Sequence, residues 1–97
     1  MGFQYDPSKA AQNRRLHGVS LADAECVLSD MFAITIEDAD ADAADERRFV
    51  SIGEGCLGSV LVVVYALRGD DVRLISARRA SRGEREQYAR GVRLFGG

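Results

Sequence analysis

The chain has 97 residues, of which 46% are apolar and 29% are charged, and its formal net charge is −2. These proportions are close to globular averages, so they exclude a disordered chain and predict a single domain over residues 1–97. The longest apolar run, residues 60–67, is too short to cross a bilayer, and no secretory leader is visible at the N-terminus. We therefore expect a cytoplasmic protein that makes no contact with membranes.

The charges are distributed unevenly along the chain. Residues 30–46 carry seven acidic side chains and no basic ones, whereas residues 47–97 carry ten arginines against five acids. Arginine has a planar guanidinium that binds phosphate or carboxylate with two nitrogens, so the second part of the chain is suited to such groups. The acidic stretch is most simply a solvated loop. The alternative is that it keeps the basic part from binding nucleic acid indiscriminately.

The first third of the chain predicts two helices. Asp6 followed by proline is a typical helix start and Gly18 a typical stop, so a first helix is expected over residues 7–17. Ser20 resembles a second capping residue, and apolar residues recur after it at helical spacing. This pattern predicts a short amphipathic helix over residues 21–29.

Four strands with short connections are predicted next. Apolar residues alternate over residues 32–36, which predicts the first strand, and residues 37–46 are expected to form an acidic loop. Residues 60–67 are apolar on both faces, which is typical of a central strand that is covered on both sides. The other strands are expected at residues 49–52, 60–67 and 72–77.

Ser81 with Glu84 forms a capping box that predicts a last helix through about residue 90, and residues 91–97 are expected to fray. Helices therefore flank a run of consecutive strands. This order predicts an α+β domain with two N-terminal helices, a four-stranded antiparallel sheet and a C-terminal helix.

The two cysteines are not expected to form a disulfide framework. Cys26 lies in an apolar helical pattern and is interpreted as a small core residue, and Cys56 lies in a glycine-rich turn. The chain has one histidine and no close cysteine–histidine spacing, so neither a metal site nor a cofactor is expected.

A series of short motifs extends over residues 3–88. Their joint order and spacing resemble the BrnT family of bacterial type II toxins. The matching residues, in chain order, are Phe3, Tyr5, Asp6, Lys9 and Asn13; His17, Gly18 and Val19; Glu46, Arg48, Phe49, Ile52 and Gly53; Val62, Val63, Val64, Tyr65, Arg68 and Gly69; Arg73, Ile75, Ser76, Ala77, Arg78 and Ala80; and Tyr88.

The resemblance implies a RelE-like fold and an endoribonuclease that cleaves RNA and inhibits translation and growth. It also implies tight binding to a BrnA-type antitoxin with a ribbon-helix-helix part, through which the complex binds operator DNA. One position departs from the family pattern. Many members carry lysine immediately before the histidine–glycine pair, where this chain has Leu16, so no role of that lysine is transferred.

Metal-independent RNA cleavage usually uses the 2′-hydroxyl as nucleophile, and it needs a proton acceptor, a proton donor and cations that stabilise charge on phosphorus. Tyr65 is a further candidate for proton transfer. Arg73, inside an apolar strand, is expected to pair with a carboxylate, and Ser76 is expected to donate or accept a hydrogen bond. The predicted catalytic residues are Glu46, Arg48, Arg68, Arg78 and His17.

Simpler interpretations remain for each of these residues. Arginines at strand ends are often only solvated, Glu46 is one more acid of an acidic stretch, and His17 suits the carbonyl end of a helix. At the level of the whole chain, the alternative is a non-catalytic module of the same fold that only binds the antitoxin or a regulator. A nucleic-acid-binding regulator is a third possibility, which the net charge and the lack of a helix-turn-helix pattern weaken.

Overall fold

The computed structural model describes residues 2–38 and 46–95 of the chain. Most of these residues lie in helices or in one sheet. The elements in chain order are β1 (Phe3–Gln4), α1 (Pro7–His17), a 3₁₀ helix (Leu21–Ala24), α2 (Glu25–Leu28), β2 (Ile34–Asp38), β3 (Arg47–Glu54), β4 (Val60–Arg68), β5 (Asp71–Arg79) and α3 (Arg82–Phe95).

The strands form one five-stranded sheet in the order β1-β5-β4-β3-β2. Strands β2 to β5 are antiparallel neighbours, and β4 is in the centre as its two apolar faces predicted. The expectation of a four-stranded antiparallel sheet is wrong, because β1 adds a fifth strand parallel to β5 through Phe3 and Gln4. A two-residue strand is too short to show a period in the sequence, and only the tertiary structure brings it to β5.

The first helix matches its prediction. The Asp6 side chain accepts a hydrogen bond from the backbone N–H of Ser8 at 2.8 Å, and Gly18 ends the helix with a left-handed φ of 67°. The predicted second helix is only partly right. Ser20 accepts from the N–H of Ala22, but the chain then forms a 3₁₀ helix before the four residues of α2. The fold therefore does not contain two full N-terminal α-helices.

Several predicted boundaries differ from the structure. The first predicted strand begins two residues later, at Ile34, and it takes in Glu37 and Asp38 from the predicted acidic loop. Residues 39–45 of that loop lie outside the described residues. The capping box is confirmed: Glu84 accepts from the N–H of Ser81 at 2.7 Å and donates its own N–H to the Ser81 hydroxyl at 3.3 Å. The helix it starts continues past the predicted end.

The expectation for the cysteines is wrong. Cys26 and Cys56 are joined by a disulfide, their Cα atoms lie 5.0 Å apart, and both residues are exposed. Ala24 and Val27 take the buried positions of this segment, so Cys26 lies on its outer side. The turn between β3 and β4 comes to the same place because the backbone N–H of Cys56 donates to the carbonyl of Asp23 at 3.0 Å.

The sheet separates two apolar clusters. We call its sides the α1 face, which packs against α1, the 3₁₀ helix and α2, and the α3 face, which packs against α3. The α1 face holds the larger cluster, including the fully buried Val63 and Leu74. The cluster on the α3 face comprises the buried residues Ile52, Val62, Ala80 and Tyr88, with partly buried Phe32, Ile34, Val50, Val60 and Val92 around them.

Helix α3 is anchored by Tyr88. Its hydroxyl donates to the carboxylate of Asp30, which also accepts from the backbone N–H groups of Phe32 and Glu54, each at 2.9 Å. Burial raises the pKa of the Tyr88 hydroxyl, and the bond to Asp30 adds to this effect. The helix thereby covers one half of the α3 face. The other half, which carries Ile36 and Ala66, lies beyond this cluster, and we call it the open half.

Candidate functional site

Two arginines flank a small buried residue on the open half. Arg48 of β3 pairs with Ala66 of β4, and Ala66 pairs with Arg73 of β5, so the three residues form one row across the sheet. Residues that face each other across neighbouring strands project from the same face, with about 5 Å between strands. Ala66 is fully buried, so the short alanine lies at the floor between two cationic side chains.

Glu46 lies immediately before β3, two residues from Arg48, and its side chain is only 6% exposed. Nη2 of Arg73 lies 3.1 Å from Oε1 of Glu46 and donates to Oε2 at 3.2 Å. The expected carboxylate partner of Arg73 is therefore present, and it is a predicted site residue. Sequence alone gave no hint of this pairing, because the two residues are 27 positions apart.

Two polar atoms of this group have no hydrogen bond. They are Nε of Arg48 and Oε1 of Glu46, the buried side-chain atoms without a hydrogen bond among the residues described. Oε1 is in ion-pair contact with Nη2 of Arg73 at 3.1 Å, but the hydrogen bond of that nitrogen goes to Oε2. Buried polar atoms are normally hydrogen-bonded, and leaving one unpaired costs roughly 1–3 kcal/mol. One is an acceptor and the other a donor, and they belong to residues two positions apart.

Arg68 lies at the end of β4, two residues beyond Ala66, so the alternation of the strand places it on the same face. It is exposed and pairs in the sheet with Asp71, the first residue of β5. Arg68 is therefore next to the row of Arg48 and Arg73, at the hairpin end of the open half.

Arg78 is in a different environment, although it is also on the α3 face, opposite Val62. Its two terminal nitrogens donate to the two carboxylate oxygens of Glu84 at 2.8 and 2.9 Å. These bonds, together with the bond from the N–H of Ser81, lower the pKa of Glu84 to about 2. The guanidinium of Arg78 is thus already bound in the two-pronged manner that a phosphate would require.

His17 ends α1 and is exposed. It lines a surface pocket of about 250 Å³ together with residues of α1 and with Ile75 and Ser76 of β5. This pocket lies at the outer edge of β5, so the structure does not place His17 in contact with Glu46 or with the arginines of the row.

Tyr65 lies on the opposite face of the sheet. It belongs to the cluster of the α1 face, its hydroxyl lies 3.1 Å from the Ser51 hydroxyl, and its ring stacks on Phe49. Strand residues alternate between faces, so Tyr65 points away from its neighbour Ala66 and from the row. The structure therefore separates Tyr65 from the other candidates for proton transfer.

The described residues contain no group of three or more histidine, cysteine, aspartate or glutamate side chains placed to hold a metal ion. None of the described helices is long and apolar enough to span a membrane.

Known proteins of similar sequence and structure identify the family of the chain. The model of a family described as a ribonuclease toxin, BrnT, of a type II toxin-antitoxin system matches residues 5–84. The 1.1 Å crystal structure of the Brucella abortus ribonuclease toxin BrnT is similar with a TM-score of 0.63 and 29% sequence identity, over 84% of this chain and 99% of that one. No curated protein sequence matches the chain significantly.

Proposed function

Since the chain belongs to the BrnT family of ribonuclease toxins of type II toxin-antitoxin systems, we propose that it cleaves RNA without a metal ion at the open half of the α3 face. The observation that carries this placement is the pair of unsatisfied atoms on Glu46 and Arg48. A buried acceptor and a buried donor that lack hydrogen bonds, on residues two positions apart, suit a substrate that offers a hydroxyl and a phosphate oxygen. A nucleotide with a 2′-hydroxyl beside its 3′-phosphate has both.

Glu46 is proposed as the general base. It takes the proton of the 2′-hydroxyl, the 2′-oxygen attacks phosphorus, and the bond from phosphorus to the 5′-oxygen breaks. The products are a 2′,3′-cyclic phosphate and a 5′-hydroxyl, which gains a proton as it leaves. A carboxylate is suited to the first step because its oxygens accept protons, and this one is only 6% exposed and in contact with Arg73 of the row.

Arg48 and Arg73 are proposed to bind the phosphate. Arg73 uses only Nη2 on Glu46 and is 35% exposed, so its guanidinium is able to turn to an incoming phosphate. This movement would leave Oε1 of Glu46 to the 2′-hydroxyl, while Nε of Arg48 donates to a phosphate oxygen. Preorganised cations of this kind stabilise the additional negative charge of the transition state.

The other predicted residues have lesser roles in this proposal. Arg68, exposed at the end of the row, binds the same or the neighbouring phosphate. Arg78 contributes only where the substrate displaces Glu84 from its two-pronged bond. His17 lies at the outer edge of β5, so it protonates the leaving 5′-oxygen only where the bound RNA brings that oxygen to this edge; elsewhere water supplies the proton.

The partner is proposed to be a BrnA-type antitoxin with a ribbon-helix-helix part, which blocks the toxin in the cytoplasm and takes the complex to operator DNA. The family supports a protein antitoxin, and the arginines of the open half favour acidic residues on its binding surface. Association should slow as salt rises, because complementary charges mainly speed encounter. A salt-independent association rate in stopped-flow measurements would show that apolar contacts dominate instead.

The test is cleavage of labelled RNA by the purified chain, with and without EDTA, and identification of the cyclic phosphate. Glu46→Gln should lower the rate by roughly 10²–10⁴-fold. Glu37→Gln is the matched control, since Glu37 pairs with Arg47 at the same end of the sheet, and it should change the rate by less than about twofold. Full activity of Glu46→Gln, or loss of cleavage in EDTA, contradicts the proposal.

Expression of the chain alone should arrest growth and deplete intact messenger RNA, and co-expression of the antitoxin should restore growth. If the soluble chain binds an antitoxin but neither arrests growth nor cleaves RNA, it is the non-catalytic module that the sequence left open.

A further inference from the structure

The pocket between α1 and β5 has a structural cause. The pairing of β4 with β5 is regular up to Val64 with Ser76 and resumes at Tyr65 with Leu74, so Ile75 is an extra residue on β5. Such a bulge bends the strand and changes the direction of its side chains, and bulges are common beside active sites. Here the bulge and α1 together form the pocket of about 250 Å³.

One wall of the pocket is fixed by Asn13. Its side-chain nitrogen donates to the carbonyls of Val19 and Ala77, each at 2.9 Å, and its oxygen accepts from the N–H of Ala77 at 3.0 Å. Asn13 thus takes the place of a neighbouring strand at the edge of β5 and holds α1 there. The pocket is therefore built on a rigid contact between helix and sheet.

The remaining polar groups of the pocket are not used by the fold. Within residues 2–38 and 46–95, the side chains of Lys9, Gln12, His17 and Ser76 make no hydrogen bond or ion pair. Lys9 is the only lysine of the chain. Four polar side chains with unused hydrogen-bonding capacity, one of them a cation, surround the same opening.

The pocket also has an apolar wall. Leu16 is 68% exposed and Ile75 is half-buried, and both line the opening. An apolar surface beside a few polar groups is typical of small-ligand sites, and this volume is below the roughly 300–1,000 Å³ of pockets for drug-sized ligands. A flat nucleobase on the apolar wall, with polar groups at its edge and a cation at its phosphate, satisfies all of these features.

Ser76 connects the pocket to the row on the open half. It pairs with Val64 and so lies on the α3 face, and it is three residues from Arg73 on the same strand. At a rise of about 3.3 Å per residue, the separation along β5 is about 10 Å. A nucleotide adjacent to one that is bound at Arg48 and Arg73 would extend along β5 towards the pocket.

We propose that this pocket is a subsite for one unpaired nucleobase of the RNA substrate, next to the scissile phosphate. The base lies on Leu16 and Ile75, Gln12 and Ser76 contact its edge, and Lys9 binds its phosphate. The proposal rests on the proposed ribonuclease function and deepens it, because the subsite would determine which base the enzyme prefers beside the cleaved bond.

The test removes one base from the RNA and one side chain from the protein, separately and together, and compares the effects on binding. Fluorescein-labelled RNA oligonucleotides carry 2′-deoxyribose at the mapped cleavage site, which prevents cleavage, and an abasic residue at each neighbouring position in turn. Binding is followed by fluorescence anisotropy. At one position, loss of the base should weaken binding to the native chain by roughly five- to tenfold. Leu16→Ala should weaken binding of the intact oligonucleotide similarly and should be insensitive to the abasic residue at that position.

The Lys9→Ala variant tests the phosphate contact through the salt dependence of RNA affinity. It should reduce the slope of log affinity against log salt by about 0.7, the contribution of one phosphate contact to a single strand. Arg15→Ala is the matched control, since it removes one charge from the same helix away from the pocket. Thermal melting of each variant verifies that the fold is intact.

The outcomes separate the two proposals. Independent effects of Leu16→Ala and of the abasic residue, or equal effects of Lys9→Ala and Arg15→Ala, overturn the subsite. Variants that weaken antitoxin binding and leave RNA affinity unchanged also overturn it and assign the pocket to the protein interface. If the chain cleaves no RNA, the same assay is run with a single-stranded 2′-deoxy oligonucleotide. Coupling there supports the subsite although the ribonuclease proposal has failed.

Discussion

The two halves of the α3 face are built on the same strands but differ in how their polar groups are used. In the covered half, Arg78 binds Glu84 with two nitrogens, and Tyr88 donates to Asp30. In the open half, Glu46 and its neighbour Arg48 each retain a buried atom without a hydrogen bond. Buried polar atoms are normally hydrogen-bonded, so the comparison separates groups that stabilise the fold from groups with hydrogen-bonding capacity left for a substrate.

The largest expected effect is on catalysis in the open half. Arg48→Lys should lower turnover by about 10²-fold, because lysine keeps the charge but lacks the planar fork that holds a phosphate. The free energy of unfolding should change by less than about 1 kcal/mol, since no large apolar side chain is lost. The measurement is single-turnover RNA cleavage, with urea unfolding alongside. Unchanged cleavage would show that Arg48 supplies only general charge.

The second effect is on stability in the covered half. Tyr88 is only 8% exposed, so Tyr88→Ala should lower the free energy of unfolding by about 3 kcal/mol through lost packing. Tyr88→Phe keeps the ring and should cost about 1 kcal/mol, the value of the hydrogen bond to Asp30. Urea unfolding gives both values. Cleavage per folded molecule should be preserved, and a specific loss of turnover in Tyr88→Phe would remove the distinction between the halves.

A substitution of Arg78 shows where the boundary lies between the covered half and the open half of the α3 face. If the substrate phosphate has to displace Glu84, Arg78→Ala should lower turnover by only about tenfold, less than a change at Arg48. A rate loss as large as that of the Arg48 variant would place Arg78 fully in the site. An unchanged rate with a lower melting temperature would make it purely structural.

The smallest expected effect is the pH dependence of the contribution that Glu84 makes to the free energy of unfolding. Arg78 and the N–H of Ser81 hold the pKa of Glu84 at about 2, below its ordinary 4.5. Because the pKa of Glu84 is lower in the folded chain, its stabilisation is complete at a pH above the pKa of the unfolded chain. The stabilisation is lost as the pH falls towards the pKa of the folded chain. Glu84→Gln should cost about 1 kcal/mol at neutral pH, allowing for solvent screening, and progressively less from pH 4.5 to 2. A pH-independent difference between the two proteins would contradict this account.

Local rules of sequence were sufficient for much of the fold. Asp6 and Gly18 bound α1, the capping box of Ser81 and Glu84 starts α3, and the run of residues 60–67 lies in the central strand. These features depend on residues close together in the chain, whose backbone preferences act before any packing. The family also followed from the order of motifs, because residues 5–84 match it as a unit.

The arrangement of the site was decided by the tertiary structure. The sequence predicted Glu46, Arg48, Arg68, Arg78 and His17 as candidates without showing which of them meet. In the structure, strand register brings Glu46 and Arg48 into one group with Arg73, Arg78 binds Glu84 of α3, and His17 lies on α1 at the edge of β5. The strand β1 and the disulfide between Cys26 and Cys56 were missed for the same reason. Which distant residues meet depends on register, on a bulge and on how helices cover a sheet. These follow from the packing of the whole domain, and the local pattern of a segment does not contain them.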